Sequence, residues 1–473
     1  MEATSTPSTQ RVPMSQKIAF GFGMLANQMF PAALGVFIIV LVQDLGFAAL
    51  LWGIIQFLPR IFDAITDPIM GFISDNTRSK WGRRRQYVFI GAIIMGLAYV
   101  AMWQLHKGDG VLYNFIYFLS WSLVFYLGLT IFSVPYVAMG YEISDDFHER
   151  TEIMAIAQFI GQWAWVIAPW FWVILYDPTW FPEGADQGVR DLSIWVAIPC
   201  TVFALIPALF IRSSSTLDRE DFSPINASRV IRSVKEIFTS AFEAFRIKQF
   251  RQIAGATFLI FNSFNVIAAY TFLIIVHYLF NGDPASAGNW PALHGSVGAL
   301  ITTFLVIPAI TRMSKKLGKK KAFIISQLIS IVGYVLFWFL FVPGKPYLFL
   351  FALPFHSFGI GSLFTIMMSM TADVCDLDEL QTGKRREGVL GAVYWWMVKL
   401  GFGIAALLGG FILSVVGFDA ENVTESAVSG MRMFYTLLPI AGVLGAIFIM
   451  RNYDITEERA EQLKAELLVK RNS

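Results

Sequence analysis

The sequence is poor in charged residues, cysteines and histidines. Only 15% of its 473 residues are Asp, Glu, Lys or Arg, whereas soluble globular proteins carry about 25%. The two cysteines, Cys200 and Cys375, fall in or beside apolar segments, which excludes a disulfide framework. The five histidines show no zinc-ligand spacing. With 56% hydrophobic residues and a mean hydropathy of +0.59, the composition predicts a polytopic membrane protein.

Enzyme motifs are also missing from the sequence. It contains no nucleophile elbow, no phosphate-binding glycine loop and no metalloprotease motif. The net charge of +2 gives no sign of a nucleic-acid partner. We therefore expect neither an enzyme nor a protein with an organic cofactor.

Twelve apolar runs are long enough to cross a bilayer as helices. They divide into six runs, a polar stretch and six further runs. The runs lie near Ile18–Val42, Ala49–Ile73, Tyr87–Gln104, Tyr113–Met139, Ile153–Tyr176, Leu192–Ile211, Phe258–Phe280, Leu293–Ile310, Ala322–Val342, Tyr347–Met370, Val389–Val416 and Met433–Met450. The sequence therefore predicts an all-α integral membrane protein with twelve transmembrane helices.

These runs suggest a division of the chain into two bundles and three polar segments. Residues 1–17 lack the apolar core of a signal peptide and form a predicted tail. Residues 18–211 and 252–451 form two predicted six-helix bundles, joined by a linker over 212–251. Residues 452–473 form a second tail, which carries a charged amphipathic helix.

The basic residues are distributed very unevenly between the two sides of the membrane. Of 36 Lys and Arg residues, two lie within predicted spans and four in the connections that follow odd-numbered spans. The remaining 30 lie on the side of both termini. Because basic residues collect on the cytoplasmic side, both termini are predicted to be cytoplasmic.

Two motifs recur in the two halves of the chain. SKWGRRR at residues 79–85 resembles SKKLGKKK at residues 314–321, and MGYEISD at residues 139–145 resembles MTADVCD at residues 370–376. Two six-helix halves related by an axis along the membrane normal are typical of a transporter that rocks around a midplane site.

The second predicted span carries three charges, Arg60, Asp63 and Asp67. Each charge at the centre of a membrane helix costs about 2.5–3.5 kcal/mol, so such residues face a protein interior or an aqueous cavity. The aspartates lie one helical turn apart on one face and repel each other unless a cation or a proton intervenes. Two hard oxygen ligands favour sodium, and a proton is the alternative. A purely structural Arg60–Asp63 salt bridge explains only one of the carboxylates.

The stretch RIFDAITDPIMG at residues 60–71, continued to Arg83, closely resembles the signature of the glycoside–pentoside–hexuronide:cation symporters of the major facilitator superfamily. The resemblance continues at Pro135-Tyr136, Glu149-Arg150 and residues 388–401. It implies the major facilitator fold and a monomeric, cation-coupled transporter. It also implies a cation site at Asp63 and Asp67, with further oxygens from Thr66 and Thr130.

Lys399 matches the lysine that this family carries in its eleventh span, near the cation and substrate sites. An isolated lysine in an apolar run needs an anionic partner. We expect Lys399 to pair with Asp63 or Asp67 when the cation is absent, and assign it, with Arg60, to coupling. Snorkelling of Lys399 to an interface is the alternative.

The galactoside-binding residues of the family are replaced in this sequence. Two acids, a tryptophan and an arginine give way to Gln28, Ser133, Val137 and Gln158. The cavity should therefore be less negative and more favourable to an anionic substrate such as a uronide, although neutral glycosides remain an alternative. The expected substrate-binding residues are Gln28, Ser133, Tyr136, Gln158, Gln162, Tyr394, Trp395, Trp396 and Lys399.

Charged residues at the inner ends of the spans are candidates for gate ion pairs that stabilise an outward-facing state. Asp75 can pair with basic residues in one state and release them in another. The candidates are Asp75, Arg78, Arg83, Glu142, Asp145 and Arg150 in the first half, and Asp373, Asp376, Arg385 and Arg386 in the second.

Together these features predict a symporter of a bacterial inner membrane that imports a glycoside or uronide with Na⁺, or alternatively with H⁺ or Li⁺. Its partners are then a small-molecule substrate and membrane lipid. A sodium-coupled lysolipid symporter is the first alternative, because it shares the cation motif. A membrane sugar sensor is the second, but such a sensor usually carries a signalling domain, for which neither end has room.

Overall fold

The computed structural model describes residues 11–144, 146–211, 215–217, 225–383 and 387–472. These ranges are helical and contain no β-strand. Twelve candidate membrane spans follow one another, which confirms the predicted all-α fold. In order, spans 1–12 are Met14–Gln43, Ala49–Asp75, Arg85–Met102, Val111–Gly140, Glu149–Leu175, Ala185–Phe210, Lys248–Leu279, Pro284–Leu317, Lys319–Leu340, Pro346–Thr382, Leu390–Val415 and Glu425–Met450.

Two further α-helices of the described residues lie outside the spans. The linker helix, Ala227–Ala244, begins at Asn226, whose side chain accepts a hydrogen bond from the backbone N–H of Arg229 at 2.9 Å. Such a cap satisfies one of the free N–H groups of the first turn. The tail helix covers Glu457–Asn472, within the predicted charged tail.

Span 7 begins ten residues before its predicted apolar run. The helix starts at Lys248, and its first residues are polar. Lys248 and Gln249 bind the carboxylate of Asp454 at 3.0 and 2.9 Å, and Gln252 donates to the carbonyl of Ile449 at 3.0 Å. The helix therefore continues into what the sequence suggested was linker.

Glycines let neighbouring spans approach to backbone contact. A Cβ on Gly91 in span 3 would lie 2.4 Å from the backbone nitrogen of Phe132 in span 4. A Cβ on Gly128 would lie 2.7 Å from the backbone nitrogen of Met95. Small residues allow this close packing between membrane helices. The packing holds span 4, which carries Thr130, against span 3.

The two halves contact each other along spans 2 and 11 and also at one face of the bundle. Because the number of spans is even, both described ends of the chain lie on the same face of the bundle. We call this face the terminal face, and the face on the other side of the membrane the opposite face. At the opposite face, Gln43 and His277 are 3.1 Å apart between Oε1 and Nε2. Ser296 donates to the carbonyl of Val166 at 2.6 Å. These contacts hold span 1 against span 7 and span 5 against span 8.

The linker helix lies at the terminal face, where it packs against spans 2 and 11. Phe238 of this helix meets Trp396 edge to face, with ring centroids 5.5 Å apart. The helix that follows the first half and precedes the second is thereby packed against one span from each half.

Candidate functional site

The carboxylates of span 2 meet a hydroxyl of span 4. Thr130 lies 2.9 Å from Oδ1 of Asp63 and 3.0 Å from Oδ1 of Asp67. The hydroxyl of Thr66 donates to the carbonyl of Phe62, one helical turn earlier. The same hydroxyl lies 3.1 Å from the hydroxyl of Thr130. The structure thus brings the four predicted cation-binding side chains together as a cluster of oxygen ligands.

Lys399 of span 11 completes this cluster from the other half of the chain. Its ammonium lies 2.9 Å from Oδ2 of Asp63 and donates directly to Oδ2 of Asp67. The lysine therefore pairs with both aspartates and does not extend to a membrane interface. Removing one partner of a buried ion pair typically costs about 3–5 kcal/mol, because the other charge is left unpaired.

The three charged groups of this cluster differ in their access to solvent. The side chain of Asp63 is 3% exposed, whereas those of Asp67 and Lys399 are 25% and 30% exposed. Asp67 and Lys399 therefore form the accessible side of the cluster, and Asp63 forms its buried side.

Arg60 is placed between two aromatic rings rather than beside a carboxylate. Its guanidinium carbon lies 5.0 Å from the ring centroid of Tyr126 in span 4 and 4.9 Å from that of Phe402 in span 11. Among the ion pairs of the described residues, none joins Arg60 to Asp63. The structural salt bridge is therefore not formed, and sequence reasoning missed both rings. The available signal was their spacing, since Tyr126 precedes Thr130 by four residues and Phe402 follows Lys399 by three.

Spans 1 and 5 bring three polar groups together. The indole N–H of Trp165 donates to Oε1 of Gln28 at 3.0 Å, and the Gln28 amide lies 3.4 Å from Oε1 of Gln158. Gln162 and Ser133 are partly exposed on spans 5 and 4. Such groups can exchange hydrogen bonds with hydroxyls, beside an aromatic ring that can pack against apolar C–H faces.

The remaining predicted substrate-binding residues divide into buried and accessible ones. Tyr136 is fully buried, and its hydroxyl donates to the carbonyl of Phe20. Tyr394 is also buried and donates to the carbonyl of Leu363 at 3.3 Å. Trp395 is 45% exposed and precedes Lys399 by four residues, on the same helical face. Trp396 packs against the linker helix instead.

The predicted gate residues form ion pairs that each lie within one half. Arg84 binds Asp75 at 2.7 Å and Glu142 at 3.2 Å, and Arg83 also binds Glu142. Lys319 binds Asp373 at 2.5 Å.

The other predicted gate residues take different positions. Arg150 donates to the carbonyl of Ser144 at 3.2 Å. Arg78 is exposed and Asp376 is partly exposed. Asp145, Arg385 and Arg386 lie outside the described residues.

A cluster at the opposite face was not singled out from the sequence. The hydroxyl of Tyr176 donates to Asp44, just beyond span 1. The ring of Tyr176 stacks on Trp172, whose ring contacts Phe272 of the other half. Burial raises the pKa of the Asp44 carboxyl to about 6, although the Tyr176 hydrogen bond lowers it.

Twelve spans in two halves, with charges paired between the halves, define a secondary transporter of the major facilitator class. Residues 19–457 match the family model of the MFS/sugar transport proteins, and the chain belongs to that family. It is therefore a multi-pass membrane transporter and not an enzyme. The family resemblance drawn from residues 60–71 is confirmed.

Individual relatives agree with this assignment over nearly the whole chain. The glucuronide carrier protein homolog of Escherichia coli (strain K12) is 25% identical over 456 residues, covering 95% of this chain and 94% of that protein. The inner membrane symporter YicJ of the same organism is 25% identical over 469 residues, covering 96% and 95%. A structure of the xylose transporter XylE from E. coli gives a TM-score of 0.60 at 15% identity, covering 93% of this chain and 99% of that chain. This likeness confirms the fold.

Proposed function

We propose that this protein is a sodium-coupled symporter that imports a glycoside or a uronide across a bacterial inner membrane by alternating access. The observation that carries the proposal is the contact of Lys399, in one half, with Asp63 and Asp67, in the other. A coupling cation between the aspartates then competes with an ammonium that belongs to the protein.

The ligand chemistry of the cluster supports sodium. Asp63, Asp67, Thr66 and Thr130 offer oxygen atoms only, which suit a small hard cation. When the cation binds, the ammonium of Lys399, whose side chain is partly exposed, is displaced from the two carboxylates. Lithium fits the same donors, and a proton on one carboxylate would release the lysine in a similar way.

The saccharide would bind between spans 1, 5 and 11, where polar amides and aromatic rings are available. Gln28 and Gln158 supply amides for hydroxyl groups, and Trp165 and Trp395 supply rings. The cation and the saccharide are thermodynamically coupled, so each raises the affinity of the other by the same factor.

The contacts at the opposite face support an inward-facing state. With the terminal face cytoplasmic, the halves are closed at the outside by the Gln43–His277 and Ser296–Val166 contacts. The linker helix then lies on the cytoplasmic side, between spans 2 and 11. The ion pairs of Asp75, Glu142 and Asp373 stay within their own halves in this state.

Thermal stability of the purified protein tests this function. The protein is melted in sodium, lithium or choline chloride with neutral glycosides, uronides or lysolipids, and the Asp67→Asn variant is measured alongside. A ligand present at 100 times its dissociation constant adds about 2.7 kcal/mol. We expect a saccharide to stabilise the wild type in sodium only, and Asp67→Asn to abolish the effect. Stabilisation by lysolipids alone would overturn the saccharide assignment, and equal stabilisation in choline would overturn sodium coupling.

A further inference from the structure

Arg60 is a cation in a membrane span that forms no direct ion pair with a carboxylate of the described residues. Within the described residues it makes neither an ion pair nor a side-chain hydrogen bond, and its side chain is partly exposed. An unpaired charge at membrane depth is costly. Aromatic rings reduce that cost by about 0.5–2 kcal/mol each, but they supply no negative charge.

The N–H donors of Arg60 have no carboxylate or side-chain hydrogen-bond partner among the described residues. Tyr126 and Phe402 lie 5.0 and 4.9 Å from its guanidinium carbon, within the range of cation–π contacts. A guanidinium carries five N–H donors in its plane, arranged to bind a carboxylate bidentately. The two rings therefore flank the group, while its donors remain available to an anionic ligand.

Arg60 lies one helical turn from the cation cluster. It precedes Asp63 by three residues, Tyr126 precedes Thr130 by four, and Phe402 follows Lys399 by three. Three or four residues correspond to about 4.5–6 Å along a helix. In all three spans this displacement is towards the opposite face, so Arg60, Tyr126 and Phe402 form a layer beside the cation layer.

The charges of the two layers balance only when an anion is added to the cation. With both aspartates ionised, Lys399 and Arg60 neutralise Asp63 and Asp67. A bound sodium ion leaves one positive charge in excess. A neutral saccharide would leave that excess at membrane depth, whereas a monovalent anion removes it.

We infer that Arg60 is the binding site for the carboxylate of an acidic saccharide, held by Tyr126 and Phe402 beside the coupling cation. This inference rests on the proposed symport and narrows its substrate to carboxylated sugars. It assigns Arg60 a direct role in substrate selection.

The test compares two ligands that differ only in one group, 4-nitrophenyl glucuronide and 4-nitrophenyl glucoside, each as both anomers. Dissociation constants are measured in sodium chloride and in choline chloride. In sodium chloride, we expect the wild type to bind the glucuronide at least about 10-fold more tightly than the glucoside. Hydrogen bonds to charged groups contribute roughly 10- to 100-fold in affinity. Arg60→Gln should remove this preference by weakening the glucuronide only, and Arg60→Lys should retain part of it.

Arg432 provides a matched control. Its guanidinium also lies over two rings, 3.8 Å from the centroid of Tyr278 and 4.7 Å from that of Trp338, but it lies at the start of span 12 and away from the cluster. Arg432→Gln should leave the preference within about twofold. Preference for the glucoside, absence of binding of both probes, or an unchanged preference in Arg60→Gln would overturn the inference.

Measurements on the wild type keep the inference and the proposed function separable. Sodium alone should stabilise the protein if the cation site is correct, whatever saccharide it binds; failure of this effect sinks the symport. Uptake of one uronide anion with one sodium ion transfers no net charge, so a potassium–valinomycin potential should leave initial uptake by proteoliposomes unchanged. Uptake driven by an inside-negative potential would contradict the anionic substrate while leaving sodium symport intact.

Discussion

Lys399 and Asp67 are 332 residues apart in the sequence, and the lysine ammonium donates directly to the aspartate carboxylate. The same ammonium lies 2.9 Å from Asp63. One side chain of the second half thus pairs with two of the first, at the position where the coupling cation is proposed to bind.

Replacement of Lys399 by glutamine should strengthen sodium binding. Without the competing ammonium, the two carboxylates are left with excess negative charge. We expect the sodium dissociation constant from thermal titration to fall by about 10-fold, which corresponds to about 1.4 kcal/mol. Active uptake should nevertheless be lost. Lys248→Gln, which removes an exposed partner of Asp454, is the control, and an unchanged sodium affinity in Lys399→Gln would refute competition.

Thr130 should contribute to cation binding through its hydroxyl. This group contacts Asp63 and Asp67 at 2.9 and 3.0 Å, and it is buried. Thr130→Ala should raise the sodium dissociation constant by about 2- to 10-fold, the range expected for one hydrogen-bonding group. Thr130→Ser, which keeps the hydroxyl, should stay close to the wild type in the same titration. Equal behaviour of the two variants would exclude the hydroxyl as a ligand.

Trp165 should affect saccharide affinity in two separable ways. Trp165→Phe keeps a ring but loses the N–H that donates to Gln28 at 3.0 Å. Trp165→Ala loses both. Uptake assays should show a KM raised about 2- to 10-fold for phenylalanine and more for alanine, with sodium affinity unchanged. Trp163→Phe, on another side of span 5, should leave KM as it is; a similar increase there would point to a general effect on the helix.

Asp44 should make the stability of this state depend on pH. Burial raises its pKa to about 6 from 3.8, with Asp186 raising it further and Lys107 and the Tyr176 hydroxyl lowering it. Between pH 4 and 6 the folded protein therefore holds a proton that the unfolded chain releases. The stabilisation, about 3 kcal/mol, is complete below pH 4 and is lost as the pH rises through 6.

Thermal unfolding from pH 4 to 7 checks this prediction, and Asp44→Asn should flatten the profile across that range. Asp177 is a control of opposite sign, because hydrogen bonds from Thr179 lower the pKa of its exposed carboxyl. Its contribution is present above its ordinary pKa and is lost as the pH falls. A profile that Asp44→Asn leaves intact would assign the pH dependence to another group.

Gly410 should be needed for closure of the opposite face. A Cβ there would lie 2.3 Å from the carbonyl oxygen of Ala49 and 2.9 Å from Cα of Gly53, both backbone atoms. Gly410→Ala should therefore reduce uptake at least 10-fold and cost about 1–3 kcal/mol in this state. Gly391→Ala lies in the same helix, where a Cβ meets nothing within 4 Å, and should be tolerated. Normal uptake by Gly410→Ala would show that this contact is not required.

The sequence predicted the spans and the cation cluster because both rest on strong local energies. Apolar runs of this length are unmistakable, and the aspartates four residues apart demand a partner at membrane depth. The twelve spans are confirmed, whereas the roles of Asp63, Asp67 and Lys399 stay predictions. The early start of span 7 was missed because Lys248 and Gln249 are held by Asp454, some 200 residues away.

Contacts between distant spans could not be predicted from the sequence either, because local patterns do not indicate which spans pack together. Nothing local distinguishes Phe402 from the other 43 phenylalanines of the chain, and only the packing of span 11 against span 2 brings it to Arg60. The burial of Tyr136 likewise depends on the approach of span 1, which supplies the carbonyl of Phe20. Helical spacing indicates which residues share a face, but not which neighbour that face meets.

The pairing of Lys399 with both aspartates also bears on the return of the empty carrier. After unloading, two bare carboxylates would make reorientation through the membrane costly. If the coupling cation binds there as proposed, a lysine that is covalently part of the protein would replace the departed ion and, together with Arg60, would keep the binding site close to neutral on the way back. The carrier would then be able to complete a cycle of net accumulation rather than only exchange one bound substrate molecule for another.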